Sequence, residues 1–192
     1  MDIGVEQKLL GEIDIAPLRE KILEQDEVAW QEQALRQQSY EVHQDTESIV
    51  MLFCDEEWPD GGKIYQEAGW GRLADVAEPI MDNIINTYYE PGGTVLRAMA
   101  AKLKAKGRIT PHRDTLKSFG MGHRIHIPIT SSEYVRFTIG GKPFAFTPGN
   151  IYELNNQLVH SVVNMGDEDR ITFIFDYVPV SEMQKIAAHA DQ

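Results

Sequence analysis

Two histidines and one carboxylate are spaced in this sequence like the ligands of a metal ion. His112 and Asp114 lie two residues apart in the segment GRITPHRD, so on a β-strand their side chains fall on the same face. His160 lies far along the chain and has to come from a strand that is adjacent in space. Two histidines and a carboxylate on one face of iron(II) leave positions open for a cosubstrate and for oxygen. The spacing therefore predicts a non-haem iron site formed by His112, Asp114 and His160.

An arginine follows ten residues after His160, at the beginning of the apolar segment RITFIFDYV. A 2-oxoacid that chelates iron through its keto oxygen and one carboxylate has a second, distal carboxylate that needs a partner. The planar guanidinium of Arg170 can bind such a carboxylate through two hydrogen bonds. We expect Arg170 to do so from a strand that lies beside the His160 strand in one sheet. The alternative is an ordinary salt bridge of Arg170 with Glu168 or Asp169.

Polar and apolar residues alternate along the segment HRIHIPI, between the metal residues. Arg124 and His126 share one face of the predicted strand, and three isoleucines (Ile125, Ile127 and Ile129) share the other. The alternation predicts that Arg124 and His126 point into a polar cavity. The preceding segment, residues 115–122, contains two glycines and predicts either a mobile flap over the site or an ordinary connecting loop.

Short strands separated by turns dominate the second half of the chain. The predicted strands are 94–104, 108–112, 123–129, 134–139, 143–147, 150–154, 159–164 and 170–178. Gly140 and Gly141 predict a hairpin turn, and the whole pattern favours a jelly roll. Before it we predict an extended arm or edge strand over 1–15, a buried strand over 49–54 and two helices. One helix runs from Pro17 with Leu18, Ile22, Leu23, Val28, Trp30 and Leu35, and the other carries Leu73, Val76, Ile80, Ile84 and Ile85. A short helix is predicted over 182–189.

Further residues between 93 and 178 support a family resemblance. They are Gly107, the triplet His112-Arg113-Asp114, the segment Arg124–Ile129, Gly149, His160, Asn164 and Arg170. With these residues the chain resembles the iron(II)- and 2-oxoglutarate-dependent oxygenases of the aspartyl/asparaginyl β-hydroxylase-like family, which includes related proline hydroxylases. Animal-type aspartyl β-hydroxylases lack the carboxylate ligand, whereas this chain has Asp114. The difference indicates a position nearer the members that act on free amino acids and the bacterial members.

The resemblance implies a mainly β fold with N-terminal helices, a cupin-like double-stranded β-helix buttressed by those helices. It implies iron(II), 2-oxoglutarate and O2, and hydroxylation of an unactivated C–H bond of an amino acid or an Asp/Asn-type side chain. The 2-oxoglutarate would be converted to succinate and CO2. In similar enzymes the Arg-x-His pair contacts carboxylates of cosubstrate or substrate, so Arg124 and His126 are expected to bind there. The presence of Asp114 argues against a halogenase, in which halide takes the carboxylate's position.

The composition sets limits on location and partners. The 192 residues suit a single domain, with a helical buttress and flanking strand over 1–92, the β core over 93–178 and a tail with a short helix over 179–192. A net charge of −12 argues against nucleic-acid binding. No apolar segment is long enough for a membrane span, and no signal peptide is evident. The single cysteine, Cys54, excludes an internal disulfide. We expect a cytoplasmic protein that acts on a free amino acid, as a small molecule, or on a peptide; the sequence does not indicate its oligomeric state.

Two other functions fit the same residues. A non-catalytic cupin-like protein could use His112, Asp114 and His160 for a structural metal or for none. A metal-dependent cupin with a different reaction, such as an isomerase, would not need Arg170. Oxygen-dependent formation of succinate distinguishes a 2-oxoglutarate enzyme from both.

Overall fold

The computed structural model describes residues 1–32 and 44–190, with side chains described as far as Ile186. Five helices are described: α1 (Ala16–Leu23), α2 (Glu27–Gln31), α3 (Ala68–Tyr88), α4 (Lys117–Met121) and α5 (Val180–Ala190). Eleven strands are described: β1 (Gln7–Glu12), β2 (Thr46–Cys54), β3 (Ile64–Gln66), β4 (Thr94–Leu103), β5 (Arg108–His112), β6 (His123–Pro128), β7 (Val135–Ile139), β8 (Lys142–Phe144), β9 (Asn150–Leu154), β10 (His160–Asn164) and β11 (Arg170–Val178).

The strands form two antiparallel sheets that face each other. The large sheet has the order β1-β9-β6-β11-β4-β2-β3, and the small sheet has the order β5-β10-β7-β8. Apolar side chains of both sheets pack together between them, among them Leu103 and Tyr152 from the large sheet and Phe137 and Val162 from the small one. This is the predicted jelly roll. Residues before position 93 contribute three strands to the large sheet, and the predicted edge strand near the N-terminus is β1.

Helices α1, α2 and α3 cover the outer face of the large sheet. Strand β11 lies between β4 and β6, and most of its residues are buried because both of its faces are covered. On the outer face, Phe173 and Phe175 pack with the isoleucines of β6 and with the apolar side of α3. Burial of this apolar surface fixes the direction in which β6 and β11 face, because side chains alternate along a strand. The other face of the same two strands therefore carries their polar residues into the space between the sheets.

The single helix predicted from Pro17 is two helices. The chain leaves the helical path after α1, and the Asp26 side chain accepts a hydrogen bond of 2.9 Å from the backbone N–H of Ala29 to begin α2. Because of this break, Leu23 is 47% and Val28 is 68% exposed instead of buried. Leu18, Ile22 and Trp30 are buried as predicted. The predicted helical residue Leu35 lies outside the described residues.

Several predicted boundaries also differ from the structure. Strand β2 begins at Thr46, β3 was not predicted, and α5 begins at Val180 instead of residue 182. The strand predicted over 143–147 is only β8, because Phe146 turns inward to stack on Tyr152 with ring centroids 4.2 Å apart. Cys54 is buried beside Trp58, as a small core residue.

Two glycines of α3 should respond oppositely to substitution by alanine. A Cβ at Gly69 would lie 2.4 Å from the backbone oxygen of Val50, which cannot move without β2. Gly69→Ala should therefore lower the free energy of unfolding by about 1–3 kcal/mol. A Cβ at Gly71 meets nothing within 4 Å, so Gly71→Ala should raise it by about 0.5–1 kcal/mol. Urea unfolding of both variants checks this, and an equal effect of the two substitutions would contradict the packing of α3 on β2.

Candidate active site

The structure brings the three predicted metal residues together. Strands β5 and β10 pair in a register that places His160 opposite His112, and the two ring centroids are 4.4 Å apart. The Nε2 atom of His112 lies 3.8 Å from Oδ1 of Asp114. One ligand atom from each of the three residues lies within 4.8 Å of the others. Asp114 lies just past the end of β5, where its N–H donates to the carbonyl of Asn156 at 3.4 Å.

A hydrogen bond of the same kind orients each of the two histidine rings. Nδ1 of His112 lies 2.8 Å from the carbonyl oxygen of Thr110, and Nδ1 of His160 lies 3.0 Å from the carbonyl oxygen of Leu158. A carbonyl only accepts, so each Nδ1 carries the hydrogen and each Nε2 carries the lone pair. Such second contacts fix the tautomer and the orientation of metal-binding histidines. Burial also lowers the pKa of His160, although the nearby Asp114 carboxylate opposes this, so its neutral form is favoured.

Unpaired polar groups lie together between the sheets, on neighbouring strands. Arg170, Thr172 and His126 are all buried. Nη2 of Arg170, the hydroxyl of Thr172 and both ring nitrogens of His126 have no hydrogen-bond partner among the described residues. Unpaired groups of this kind are costly to bury, which indicates that a ligand completes their hydrogen bonding.

Both ionisable groups of this set have shifted pKa values. Burial lowers the pKa of Arg170 to about 10, and no described residue forms an ion pair with it. The alternative salt bridge of Arg170 with Glu168 or Asp169 is therefore absent. Burial, followed by the charges of Arg124 and Arg170, holds the pKa of His126 well below its usual value. The set thus combines a buried cation, a neutral imidazole and a hydroxyl, which together suit a carboxylate group.

Phe137 of the small sheet locates this set between the sheets. The guanidinium carbon of Arg170 lies 5.4 Å from the centre of the Phe137 ring, and the His126 ring meets the same ring edge-on at 5.9 Å. The expectation that Arg170 and His160 lie side by side in one sheet is wrong. The chain crosses from the small to the large sheet between β10 and β11, at a turn held by Asn164, whose side chain donates to the carbonyls of Lys104 (3.1 Å) and Glu168 (2.8 Å).

Arg124 lies on the predicted face but already binds two protein carboxylates. Its Nη1 donates to Asp114, and its Nε and Nη2 donate to the two oxygens of Asp176, each at 2.8 Å. Nη1 of Arg97 lies 3.3 Å from Asp176. Burial alone would raise the pKa of Asp176, but Arg124 and Arg97 outweigh it and lower that pKa. Burial likewise disfavours the charged form of Arg124 and by itself would lower its pKa. Asp114 and Asp176 outweigh this effect and raise the pKa of Arg124 above its usual value.

The segment predicted as a flap or a loop packs into this network. It contains α4, and its Ser118 is fully buried, with its hydroxyl accepting a hydrogen bond of 2.8 Å from Nη2 of Arg97. The ring of Phe119 lies 4.1 Å from the guanidinium carbon of Arg97 and 4.5 Å from that of Arg124. Residues 115–122 are therefore anchored to the charged network through the buried Ser118 and the half-buried Phe119.

Three residues of the site were missed in the sequence. Thr172 follows Arg170 by two positions on the same strand, so the alternation used for β6 would also have found it. Asp176 could have been found in the same way, six residues after Arg170 on that face. Arg97 was assigned to a strand, but nothing in its local sequence indicates that it pairs with a carboxylate 79 residues away.

Two facing antiparallel sheets, with two histidines and a carboxylate at one end of the small sheet, define a cupin-like oxygenase fold. The chain belongs to the aspartyl/asparaginyl β-hydroxylase family, whose sequence profile matches residues 71–179, more than half of its length. It is accordingly an oxygenase of this hydroxylase family. The resemblance found in the sequence and the predicted fold class are both confirmed.

Solved structures with low sequence identity share the fold. An oxidoreductase of the 2OG-Fe(II) oxygenase family from Burkholderia pseudomallei is 12% identical, with a TM-score of 0.52 over 69% of this chain and 67% of that one. The viral collagen prolyl hydroxylase of Paramecium bursaria Chlorella virus 1 is 10% identical, with a TM-score of 0.50 over 92% and 97%. A non-heme monooxygenase, ThoJ, in complex with nickel is 11% identical, with a TM-score of 0.53 over 91% and 74%. No curated protein matches the sequence. None of the described helices is both long enough and apolar enough to cross a membrane.

Proposed function

We propose that this protein is an iron(II)- and 2-oxoglutarate-dependent dioxygenase that hydroxylates an unactivated C–H bond of an amino acid or of an Asp/Asn-type side chain. The observation that carries the proposal is the pairing of the His112, Asp114 and His160 cluster with a buried, unpaired Arg170. A structural metal site needs only the first of these, whereas a chelating dicarboxylic oxoacid needs both.

In this proposal His112, Asp114 and His160 hold the iron, and their chemistry fits it, because two neutral imidazoles and one carboxylate are the ligands of oxygen-activating iron(II) sites. Bound iron(II) supplies the activation of oxygen, with oxidative decarboxylation of 2-oxoglutarate to succinate and CO2. Asp114 leaves no ligand position for halide, so hydroxylation is proposed and halogenation is not.

Arg170 binds the distal carboxylate of 2-oxoglutarate in this proposal. The carboxylate neutralises a buried cation and accepts charge-assisted hydrogen bonds from its guanidinium. Thr172 lies on the same face of β11 and its hydroxyl can donate to the same group. His126, held neutral by burial, offers one donor and one acceptor to the cosubstrate. Of the five N–H groups of Arg124, three are used by Asp114 and Asp176, and we propose that the remaining two bind a carboxylate of substrate or cosubstrate.

A cupin-like metal protein without this reaction is the second candidate. It is favoured only by the metal cluster itself, which gives no reason for a buried and unpaired arginine.

The test of the two candidates is incubation of the protein with iron(II), 2-oxoglutarate and oxygen while succinate is measured. Free amino acids and peptides that contain Asp, Asn or Pro are then added in turn. We expect succinate only when all three components are present, with an increase on addition of the correct substrate. Metal binding without any oxygen-dependent succinate would favour the second candidate.

Replacement of Asp114 by glycine should open a ligand position and reduce hydroxylation. The loss of a ligand should exceed the 10- to 100-fold effect typical of groups that only orient ligands, so we expect a fall of more than about 100-fold. Chloride should then be able to bind at the opened position, and its effect on the metal spectrum measures this. Hydroxylation by Asp114→Gly at the rate of the parent would show that the carboxylate is not a ligand.

A further inference from the structure

Four charged side chains form one continuous network beside the candidate metal site. Arg97, Asp176 and Arg124 face one another on three adjacent strands, because β11 places Asp176 opposite Arg97 of β4 and opposite Arg124 of β6. The row continues to Asp114 through Nη1 of Arg124. Two cations and two anions balance, so the network is neutral as a whole. Arg97 and Asp176 are almost completely buried.

Asp176 fixes the plane of the Arg124 guanidinium. Its two oxygens accept from Nε and Nη2 along one edge, each at 2.8 Å. Such a paired contact restricts the rotation of a guanidinium much more than a single hydrogen bond does. With Nε and Nη2 held, Nη1 is directed at Oδ2 of Asp114. The other oxygen of Asp114, Oδ1, is the one that lies 3.8 Å from His112.

Asp176 is itself held from the other side. Nη1 of Arg97 contacts its Oδ2 at 3.3 Å, and the guanidinium carbon of Arg97 lies 5.3 Å from the centre of the Phe53 ring and 4.1 Å from that of the Phe119 ring. The orientation of Asp114 thus depends on a chain of contacts that begins in the middle of the large sheet. Asp114 lies beyond the end of β5 and lacks the strand pairing that orients His112 and His160. It therefore needs such support more than the two histidines do.

We propose that Asp176 is a positioning residue for the metal site, which acts through Arg124 to hold the Asp114 carboxylate in its ligating orientation. This inference rests on the proposed role of Asp114 as a metal ligand. Asp176 does not touch metal or substrate in this role. Its effect is to direct one oxygen of Asp114 towards the histidines while Arg124 occupies the other.

The experiment compares three variants in anaerobic titrations with Co(II), followed by calorimetry and by the visible absorption of the bound ion. Asp176→Asn keeps the size of the side chain but replaces one oxygen acceptor by an amide. The double variant Asp176→Asn/Arg97→Met removes one anion and one cation, so the network remains neutral. Glu47→Gln is the control, because Glu47 is also buried and paired with two lysines, Lys102 and Lys104, each at 2.8 Å, on the helix-covered side of the same sheet.

We expect both Asp176 variants to bind Co(II) about 10- to 100-fold more weakly than the parent, with an altered visible spectrum. Glu47→Gln should bind like the parent even if its unfolding midpoint falls. Restoration of parental affinity and spectrum in the double variant would overturn the proposal, because the effect of Asp176 would then be its charge alone. The double variant also tests the proposal if Asp176→Asn does not fold, since its charges are balanced. A parent that binds Co(II) but forms no succinate would contradict the proposed function and leave this inference standing.

Discussion

Replacement of His112 or His160 by alanine is expected to abolish iron-dependent turnover and to weaken metal binding by more than about 100-fold. Each histidine supplies one of only three candidate ligands, and removal of a ligand costs more than loss of a group that merely orients one. The fold should persist, because both side chains are only half-buried and the hydrogen bond of each ring goes to a backbone carbonyl just two residues before it. The measurements are metal titration, succinate formation and the unfolding midpoint.

His123→Ala is the matched control for both histidine variants. The side chain of His123 is 19% exposed, close to the 18% of His112, and it also contacts a carboxylate, that of Glu153. Its ring packs at a tilt against that of Tyr89, with ring centroids 4.5 Å apart, among residues on the other face of β6 from Arg124 and His126. His123→Ala should therefore keep metal binding within a few fold of the parent. Near-normal turnover in His112→Ala or His160→Ala would contradict the ligand assignment.

Replacement of Arg170 by alanine should raise the concentration of 2-oxoglutarate needed for half-maximal succinate formation by roughly ten- to several-hundred-fold. Loss of a charged hydrogen-bond partner costs about 1.5–3 kcal/mol and more when a carboxylate is left buried, at 1.4 kcal/mol per tenfold. Arg170→Lys should recover only part of the loss, because an ammonium group cannot reproduce two parallel hydrogen bonds. Metal affinity should change little in either variant. Unchanged use of 2-oxoglutarate would show that its anchor lies elsewhere, and Arg124 would be tested next.

A third variant, Arg170→Met, separates binding from stability. Without a ligand, Arg170 is a buried cation with no ion-pair partner among the described residues, and burial lowers its pKa to about 10. Methionine fills similar space without this cost, so we expect the free energy of unfolding to rise by roughly 1–3 kcal/mol at neutral pH. The same variant should lose 2-oxoglutarate binding like Arg170→Ala. Destabilisation by Arg170→Met would indicate that the arginine serves the fold instead of a ligand.

The cluster of His112, Asp114 and His160 could be predicted because residue type and spacing carry its signal. His112 and Asp114 are two residues apart, and His160 precedes an apolar strand, so type and spacing were enough. The alternation of Arg124 and His126 with three isoleucines gave the face of β6 correctly, since burial of the isoleucines against α3 leaves no other choice. The helix break before α2 was missed because the apolar periodicity continues across it. The break is caused by Asp26, whose side chain caps the N-terminus of α2.

The neighbourhood of the site could not be predicted because it depends on pairing between distant strands. The chain crosses from the small sheet to the large sheet after β10, and this crossing decides that β11 belongs to the large sheet. Nothing in the sequence of either strand indicates the crossing. Arg97 and Asp176 are 79 residues apart, and only their register places them together. Ser118 and Phe119 were assigned to an exposed flap or loop from the glycines around them, whereas the buried guanidinium groups draw both side chains inward.

The most direct test of the central claim is anaerobic titration of the iron(II)-loaded protein with 2-oxoglutarate, followed by visible absorption. A 2-oxoacid that chelates iron(II) through its keto oxygen and a carboxylate gives a weak charge-transfer absorption in the visible range. We predict that this absorption appears with 2-oxoglutarate in the parent, requires at least about tenfold more of it in Arg170→Ala, and is absent from His160→Ala. Binding of iron(II) without any such absorption at saturating 2-oxoglutarate would contradict the account.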